Sequence, residues 1–269
     1  MEKKTKPKKI LIMGLPGSGK TWLAKEIYKD LNAKWINADI VRKKFNDWDF
    51  SKEGRIRQAK RMNFLSDQYI NKGKNVVADF VCPNHDSAKN FKADFIIWVD
   101  TIKKGRFLRK HLDDLNLVFE KPKKFNLRVN TKDAKFWKVI ALDLINKKKW
   151  NNKLPTAIML GRYQPWHIGH NELFKTIVRN NLQVNIQVKD VGGLDKNNPF
   201  NFNSIKKKID KDLRVFKSRY LVTKSPNIVE IVYGRKVGYK IKKVLTKSYY
   251  RNISATNIRT NLRKKGLLK

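Results

Sequence analysis

The stretch KILIMGLPGSGKT, residues 9–21, constrains this chain more than any other. Gly14-Leu15-Pro16-Gly17-Ser18-Gly19-Lys20-Thr21 fits the phosphate-binding loop pattern G-x-x-x-x-G-K-[ST] at every fixed position. The apolar run Ile10–Met13 before it reads as a buried parallel strand, and Trp22–Tyr28 after it continues with helical spacing. Strand, loop and helix therefore occur in the order the motif requires. In such a loop the glycines let backbone N–H groups turn inward around phosphates, Lys20 reaches the β- and γ-phosphates, and the Thr21 hydroxyl ligates Mg²⁺. The helix N-terminus adds its positive end. The loop implies a bound nucleoside triphosphate, ATP, with Mg²⁺.

The rest of the first half is arranged around that loop. Lys34–Asp39 reads as a second strand ending in a carboxylate, with Arg42 just beyond. Asp39 is placed to orient an acceptor hydroxyl or to hold Mg²⁺ through water, and also to cap a helix starting at Ile40. Residues 51–71 read as a basic helix whose inner face draws on Ile56, Ala59, Met62, Phe64, Leu65 and Tyr69. Val76–Val81 and Phe95–Asp100 are further buried strands, and Phe136–Ile145 is a helix. Strands alternating with helices imply a right-handed parallel α/β sheet with its ligands at the strand carboxyl ends. Gly14, Asp39, Cys82 and Thr101 all fall there.

Across residues 8–145 these motifs resemble the adenylylsulfate (APS) kinases within the small P-loop kinases. Asn37–Arg42 stands where that family has DGDxxR, and Phe50-Ser51 with Arg55 and Gln58 where it has FSxxDRxEN. Asp79–Pro83 is similar to its FISP strand end, Val99-Asp100-Thr101 to VDTP, and Phe119–Pro122 to YExP. The resemblance implies that Asp39, Arg42, Phe50, Arg55 and Pro83 surround an acceptor nucleotide. Gly54 and Arg57 depart from the pattern, the arginine after the FISP element is missing, and the basic lid is represented only by Lys103, Lys104, Arg106, Arg109 and Lys110. These departures leave the acceptor open.

A polar segment ending in Pro155 then reads as a linker, giving domains at 1–148 and 156–269 with a 149–155 connection. The second half opens on a strand, then Gly161-Arg162-Tyr163-Gln164-Pro165-Trp166-His167-Ile168-Gly169-His170, then a helix. Two histidines spaced HxGH at a strand-to-helix junction suit phosphate binding and stabilisation of charge at an α-phosphate, with Gly169 giving the nucleotide close access to the backbone. Metal ligation and an ordinary histidine pair are the competing readings. Ile253-Ser254-Ala255-Thr256-Asn257-Ile258-Arg259 matches the ISxTxIR segment that accompanies HxGH, with Ser254 and Thr256 as cap and phosphate-donor types and Arg259 gripping the triphosphate.

The two segments together resemble the cytidylyltransferase-like nucleotidyltransferases. GRYQPWHIGH and Asn198-Pro199-Phe200 are similar to those of nicotinamide-mononucleotide adenylyltransferases, in which Asn198 would serve the acceptor. Strands are expected at Val184–Val188 and Ile228–Tyr233, with loops at Gly192-Gly193 and Gly234-Arg235. The expected fold class is α/β in two domains, a P-loop-type parallel sheet followed by a Rossmann-like HxGH sheet.

Composition bears on partners. The 269 residues comfortably build two cores, and 41% hydrophobic content argues for globular structure. The formal net charge is +39, from 62 Lys+Arg against 23 Asp+Glu. Small anionic substrates over a Lys-, Asn-, Ile- and Phe-rich coding bias account for it more readily than a nucleic-acid partner, which the charge admits but does not favour. A single cysteine, Cys82, excludes an intramolecular disulfide and a cysteine metal cluster, and the basic start followed by a short apolar run is expected to be the first strand rather than a leader. A cytoplasmic location without membrane contact is expected. The combined expectation is an ATP-dependent small-molecule kinase fused to a nucleotidyltransferase that uses ATP, with CTP as an option. Its rivals are a nicotinamide-nucleotide kinase/adenylyltransferase, a polynucleotide kinase and a nucleotide-responsive nucleic-acid-binding protein.

Overall fold

The computed structural model describes residues 6–105, 119–180, 182–232, 234, 240–244, 250 and 253–268. The chain divides into two compact units, Met1–Asn146 and Lys147–Lys269.

In the first unit, β1 (Lys9–Met13) is buried at all five positions. It lies between β3 (Val76–Asp79) and β4 (Phe95–Val99), both parallel to it. A central parallel strand with both faces covered needs a continuous apolar run, which Ile10-Leu11-Ile12-Met13 supplies. β2 (Lys34–Asn37) and β5 (Leu127–Val129) complete a five-stranded sheet of order β2-β3-β1-β4-β5. Every pairing is parallel, so the strand carboxyl ends share one edge.

Helices α1 (Lys20–Ile27), α2 (Ala38–Lys44), α3 (Lys52–Ile70), α4 (His85–Phe91) and α5 (Ala134–Ile145) supply the packing. Leu11, Met13, Ala59, Met62, Ala78 and Phe91 share one buried core. In α3, Ala59 and Met62 face inward as expected, whereas Phe64 is 63% exposed and belongs to the outer face. The cap of α2 is also reassigned. Asn37, not Asp39, accepts the Ile40 N–H at 3.1 Å, so the helix begins at Ala38 and Asp39 sits in its first turn. An amide oxygen at the last residue of β2 satisfies an orphan donor, an exchange worth about 1 kcal/mol.

The second unit contains β6 (Thr156–Gly161), β7 (Gln183–Lys189) and β8 (Tyr220–Ser225) in a parallel sheet of that order. Helix α6 (Ile168–Arg179) links β6 to β7, and α7 (Phe202–Asp212) with a 3₁₀ turn at Arg214–Phe216 precedes β8. Val184, Ile186 and Val188 alternate as buried residues with Asn185 and Gln187, and Phe174 of α6 packs edge-on against Phe216 and Tyr220. The strand expected at Ile228–Tyr233 does not form over 228–232, where Val229, Ile231 and Val232 are exposed; Tyr233 lies outside the described residues. The strand that pairs is β8, which follows α7 directly and reaches β7 through a crossover of the usual length. Helix α8 (Ala255–Lys264) closes the described chain, with Ser254 capping it by accepting the Thr256 N–H. Among the described residues no helix is long and apolar enough to cross a membrane.

Candidate functional site

The first site lies at the carboxyl edge of the five-stranded sheet, where the β1–α1 loop turns into a helix. Gly14 adopts φ +150°, and a Cβ there would meet the Val99 carbonyl oxygen at 2.3 Å, so the loop closes against β4 only as glycine. Gly19 is in the left-handed region at the N-terminus of α1, leaving the first N–H groups of that helix free to face an anion. Lys20 is buried, with its Nζ donating to the Leu15 carbonyl at 2.9 Å, back across the loop. Burial lowers its pKa to about 8 against the opposing pull of Asp79 and then Asp39. A buried cation so poorly solvated gains strongly from an arriving phosphate.

The carboxylate bonded to the loop is Asp79, which the sequence motifs include at a strand end without assigning it a role. Thr21 Oγ1 donates to Asp79 Oδ2 at 2.6 Å, Trp35 Nε1 to Asp79 Oδ1 at 2.6 Å, and Asn37 Nδ2 to Asp79 Oδ2 at 3.0 Å. Asp79 is the last residue of β3 and is 2% exposed. The signal in the sequence is an acid ending an otherwise apolar strand, at the first position of the Asp79–Pro83 segment similar to the FISP strand end. Among the described residues no three His, Cys, Asp or Glu converge as a metal cage. A hydroxyl and one carboxylate oxygen beside a phosphate loop do fit Mg²⁺, which keeps most of its water and takes remaining ligands from phosphates.

These groups open onto a cavity of about 1150 Å³ lined by Gly17, Gly19, Lys20, Thr21, Asn37, Asp39, Arg42, Phe50, Arg55, Asp79, Cys82 and Pro83, among others. The residues expected around an acceptor, Asp39, Arg42, Phe50, Arg55 and Pro83, are thus brought together with the loop. Arg42 is held differently from expectation. It is buried, its NH1 donates to the Asp47 and Asp49 carbonyls at 2.8 and 2.9 Å, and its guanidinium lies 4.6 Å from the Phe50 ring centre. It therefore shapes the segment that presents Phe50. Asp47 receives Arg57 and Arg61, whose hydrogen bonds hold its carboxyl well below the usual range. At Gly54, where the resembled pattern has an acid, a Cβ would lie 2.4 Å from the Asp49 side chain, so Asp49 occupies that space here. Cys82 has φ +48°, and burial raises its thiol pKa, so it is a packed wall rather than a nucleophile. Lys103 and Lys104 are exposed, whereas Arg106, Arg109 and Lys110 lie outside the described residues.

The second site lies at the β6–α6 junction. His167 is the N-cap of α6, its Nδ1 accepting the Gly169 N–H at 3.2 Å, while His170 Nδ1 accepts the His167 N–H at 3.2 Å. The two rings stack with centres 3.7 Å apart. With both Nδ1 lone pairs engaged, each neutral ring carries its proton on Nε2, so both are donors there. Burial pushes the His170 pKa down to about 3, with His167 adding to the shift, and burial also lowers that of His167. Trp166 is buried beside His170, its Nε1 donating to Asn171 at 2.6 Å, and Tyr163 bonds the Met159 carbonyl at 2.9 Å.

Arg259 of α8 joins this junction across 95 residues of sequence. Its NH1 donates to the Gln164 carbonyl at 2.6 Å and its NH2 to Thr256 Oγ1 at 3.2 Å. The structure thus brings HxGH and ISxTxIR together, with Arg259 buried and tying α8 to the loop rather than presented as a free fork. Gly161 and Arg162 lead into the loop, and Arg162 reaches Asn198 Oδ1 at 3.4 Å. Asn198 is buried and donates to Asp195 at 2.9 Å, so it fastens the segment before α7. A smaller cavity of about 420 Å³ lies at the carboxyl ends of β7 and β8, lined by Gln164, Val188, Asp190, Gly193, Phe200 and Lys224 among others. Of the expected loop Gly234-Arg235, Arg235 lies outside the described residues.

Comparison with known families bears on the first of these sites. Residues 6–129 match the adenylylsulphate kinase family model. The N-terminal region is accordingly an adenylylsulphate-kinase-type P-loop domain. Among solved structures, the chain is similar to the APS kinase of Mycobacterium tuberculosis in complex with AMPPNP and APS, at 18% identity over 52% of this chain and 98% of that one, with a TM-score of 0.46. It is also similar to the hexameric APS kinase of Thiobacillus denitrificans, at 17% identity over 54% and 30% of the two chains with a TM-score of 0.43. A shikimate kinase of Acinetobacter baumannii in complex with shikimate is similar at 15% identity over 52% and 94%, with a TM-score of 0.39. No curated protein matches the chain.

Proposed function

We propose that the N-terminal domain transfers the γ-phosphoryl group of ATP to a hydroxyl of a small anionic acceptor of the adenylylsulfate type. The observation that carries this reading is the convergence of Lys20, Thr21 and Asp79 on one cavity that Asp39, Phe50 and Arg55 also line. The loop amides and Lys20 would hold the β- and γ-phosphates. Thr21 and Asp79 would hold Mg²⁺, which neutralises charge on the transferring group when bound. Trp35 and Asn37 fix the Asp79 carboxylate, and Asp39, in the first turn of α2, is the group placed to orient and deprotonate the acceptor hydroxyl. The chain's part is positioning and electrostatic stabilisation, which is most of what phosphoryl transfer asks of a protein.

For the second unit the proposal is nucleotidyl transfer from ATP or CTP with release of pyrophosphate. It is supported by the paired neutral imidazoles at the N-terminus of α6 and by the bond from Arg259 to the HxGH loop. The two Nε2–H groups and the Thr256 hydroxyl would donate to phosphate oxygens, and the pocket by Phe200 and Lys224 would take the acceptor. Incubation of the full chain with ATP or CTP and a panel of acceptors (sulfate, APS, nicotinamide mononucleotide, sugar phosphates), following ADP and pyrophosphate separately, tests both halves. ADP that rises with APS alone supports the first reading. Nucleotide-dependent pyrophosphate with none of these acceptors would remove the second.

A further inference from the structure

The net charge of +39 is unevenly shared: residues 147–269 hold 29 of the 62 Lys+Arg but only 6 of the 23 Asp+Glu. More than half of the excess therefore falls on the smaller unit. Read along the sequence these cations look scattered; the fold aligns a set of them. Helix α7 and its 3₁₀ extension bury Ile205, Ile209, Leu213 and Phe216 against the unit's core. The opposite side exposes Lys207, Lys211, Arg214 and Lys217, spaced four, three and three residues apart. At helical rise this is a line of cations about 15 Å long. Lys206 and Lys208 on the same helix are paired with Asp210 and Asp212, whereas the other four have no ion-pair partner among the described residues.

Unpaired like charges repel along a helix, so such a line is favourable only against an opposing charge. A short anionic metabolite engages one or two of these cations; a polyanion whose charge repeats every ~3.4 Å along each strand engages all of them together. An anionic bilayer is the less fitting partner. Surface helices that bind membranes keep an apolar face for the lipid, and the apolar face of α7 is already buried.

We propose that this face of the second unit binds the phosphate backbone of nucleic acid, without reading sequence. The contact is with phosphates through long basic side chains, so it is salt-sensitive and tolerant of base identity.

The test is fluorescence anisotropy of the full chain with labelled single-stranded RNA and duplex DNA of random sequence, from 50 to 200 mM KCl. Engaging four phosphates predicts a roughly hundredfold loss of affinity over that range. The variant Lys207→Gln/Lys211→Gln/Arg214→Gln/Lys217→Gln is expected to bind at least tenfold more weakly at low salt and with a shallower salt slope. A control of equal charge, Lys29→Gln/Lys72→Gln/Lys74→Gln/Lys92→Gln, alters exposed lysines of the first unit and is expected to bind as the parent does. Thermal unfolding of each variant checks that the fold is retained. Equal losses in both variants would make net charge, not this face, the cause and would overturn the proposal. So would absence of salt-dependent binding, or binding to phosphatidylserine vesicles in preference to both nucleic acids.

Discussion

In the proposed phosphoryl transfer Lys20 and Asp79 divide the work of the first cavity between them, and they differ in how each is recognised. Lys20 stands in a motif whose spacing alone assigns it to phosphates. Lys20→Ala is expected to lower kcat/KM for phosphoryl transfer by at least ~10²-fold, the range seen when one preorganised donor to a transition-state oxygen is lost. Steady-state ADP release at saturating Mg²⁺ measures it. The role of Asp79 is set by the fold, because it depends on β3 lying beside β1 and on Trp35 and Asn37 of the neighbouring β2. Asp79→Asn is expected to raise the Mg²⁺ concentration for half-maximal rate, and Trp35→Phe to raise it about tenfold as a supporting partner is removed. Asp39→Asn is expected instead to lower kcat with little change in Mg²⁺ dependence, since that carboxylate is the one proposed to orient the acceptor hydroxyl. A magnesium titration of the three variants separates the two acids, and an unchanged Mg²⁺ requirement in Asp79→Asn would return the metal to Asp39. Arg42 and Arg259 teach the same lesson from the other side. Both look from sequence like ligand arginines, and both are buried with guanidinium nitrogens on backbone carbonyls, a distinction that no spacing encodes.

At the scale of elements, legibility followed the strength of the local pattern. β1, α1, α3 and β7 were readable because continuous or periodic apolar runs determine them. The third strand of the second sheet was not: Ile228–Val232 is more apolar than Tyr220–Ser225, yet pairing needs register with Val184–Lys189, which propensity does not supply. α4, α7 and β5 are short or heavily charged and left only weak periodicity. The His167–His170 junction carries a prediction of its own. Free imidazole titrates near 6.5, and burial holds His170 at about 3, so on acidification the unfolded chain takes the proton first. Stability is fully present above about pH 6.5 and falls as pH drops from there toward 3, by up to ~1.4 kcal/mol per pH unit for this one group. His170→Asn, whose amide oxygen still accepts the His167 N–H, is expected to flatten that acid limb. Urea unfolding of the full chain between pH 4 and 7 checks it, and an equally steep limb in the variant would assign the acid sensitivity elsewhere.

At the scale of the whole molecule, the two proposed reactions rest on centres built by different means. One is a backbone loop with a buried lysine; the other is a helix N-terminus with paired neutral imidazoles and an arginine-tied second helix. The P-loop and HxGH motifs each set only the half that contains them. Loop packing such as Asp49 filling the space beside Gly54 and Asn198 fastened to Asp195 is not encoded in motif spacing, so for the proposed reactions the motifs leave the acceptor open in both halves. The central claim is that these centres perform two independent reactions. It is tested most directly by following ADP and pyrophosphate from the full chain and from Lys20→Ala and His167→Ala/His170→Ala in one acceptor panel. Loss of ADP alone in the first variant and of pyrophosphate alone in the second is the expected result. Loss of both products in either variant, or of neither, would contradict it.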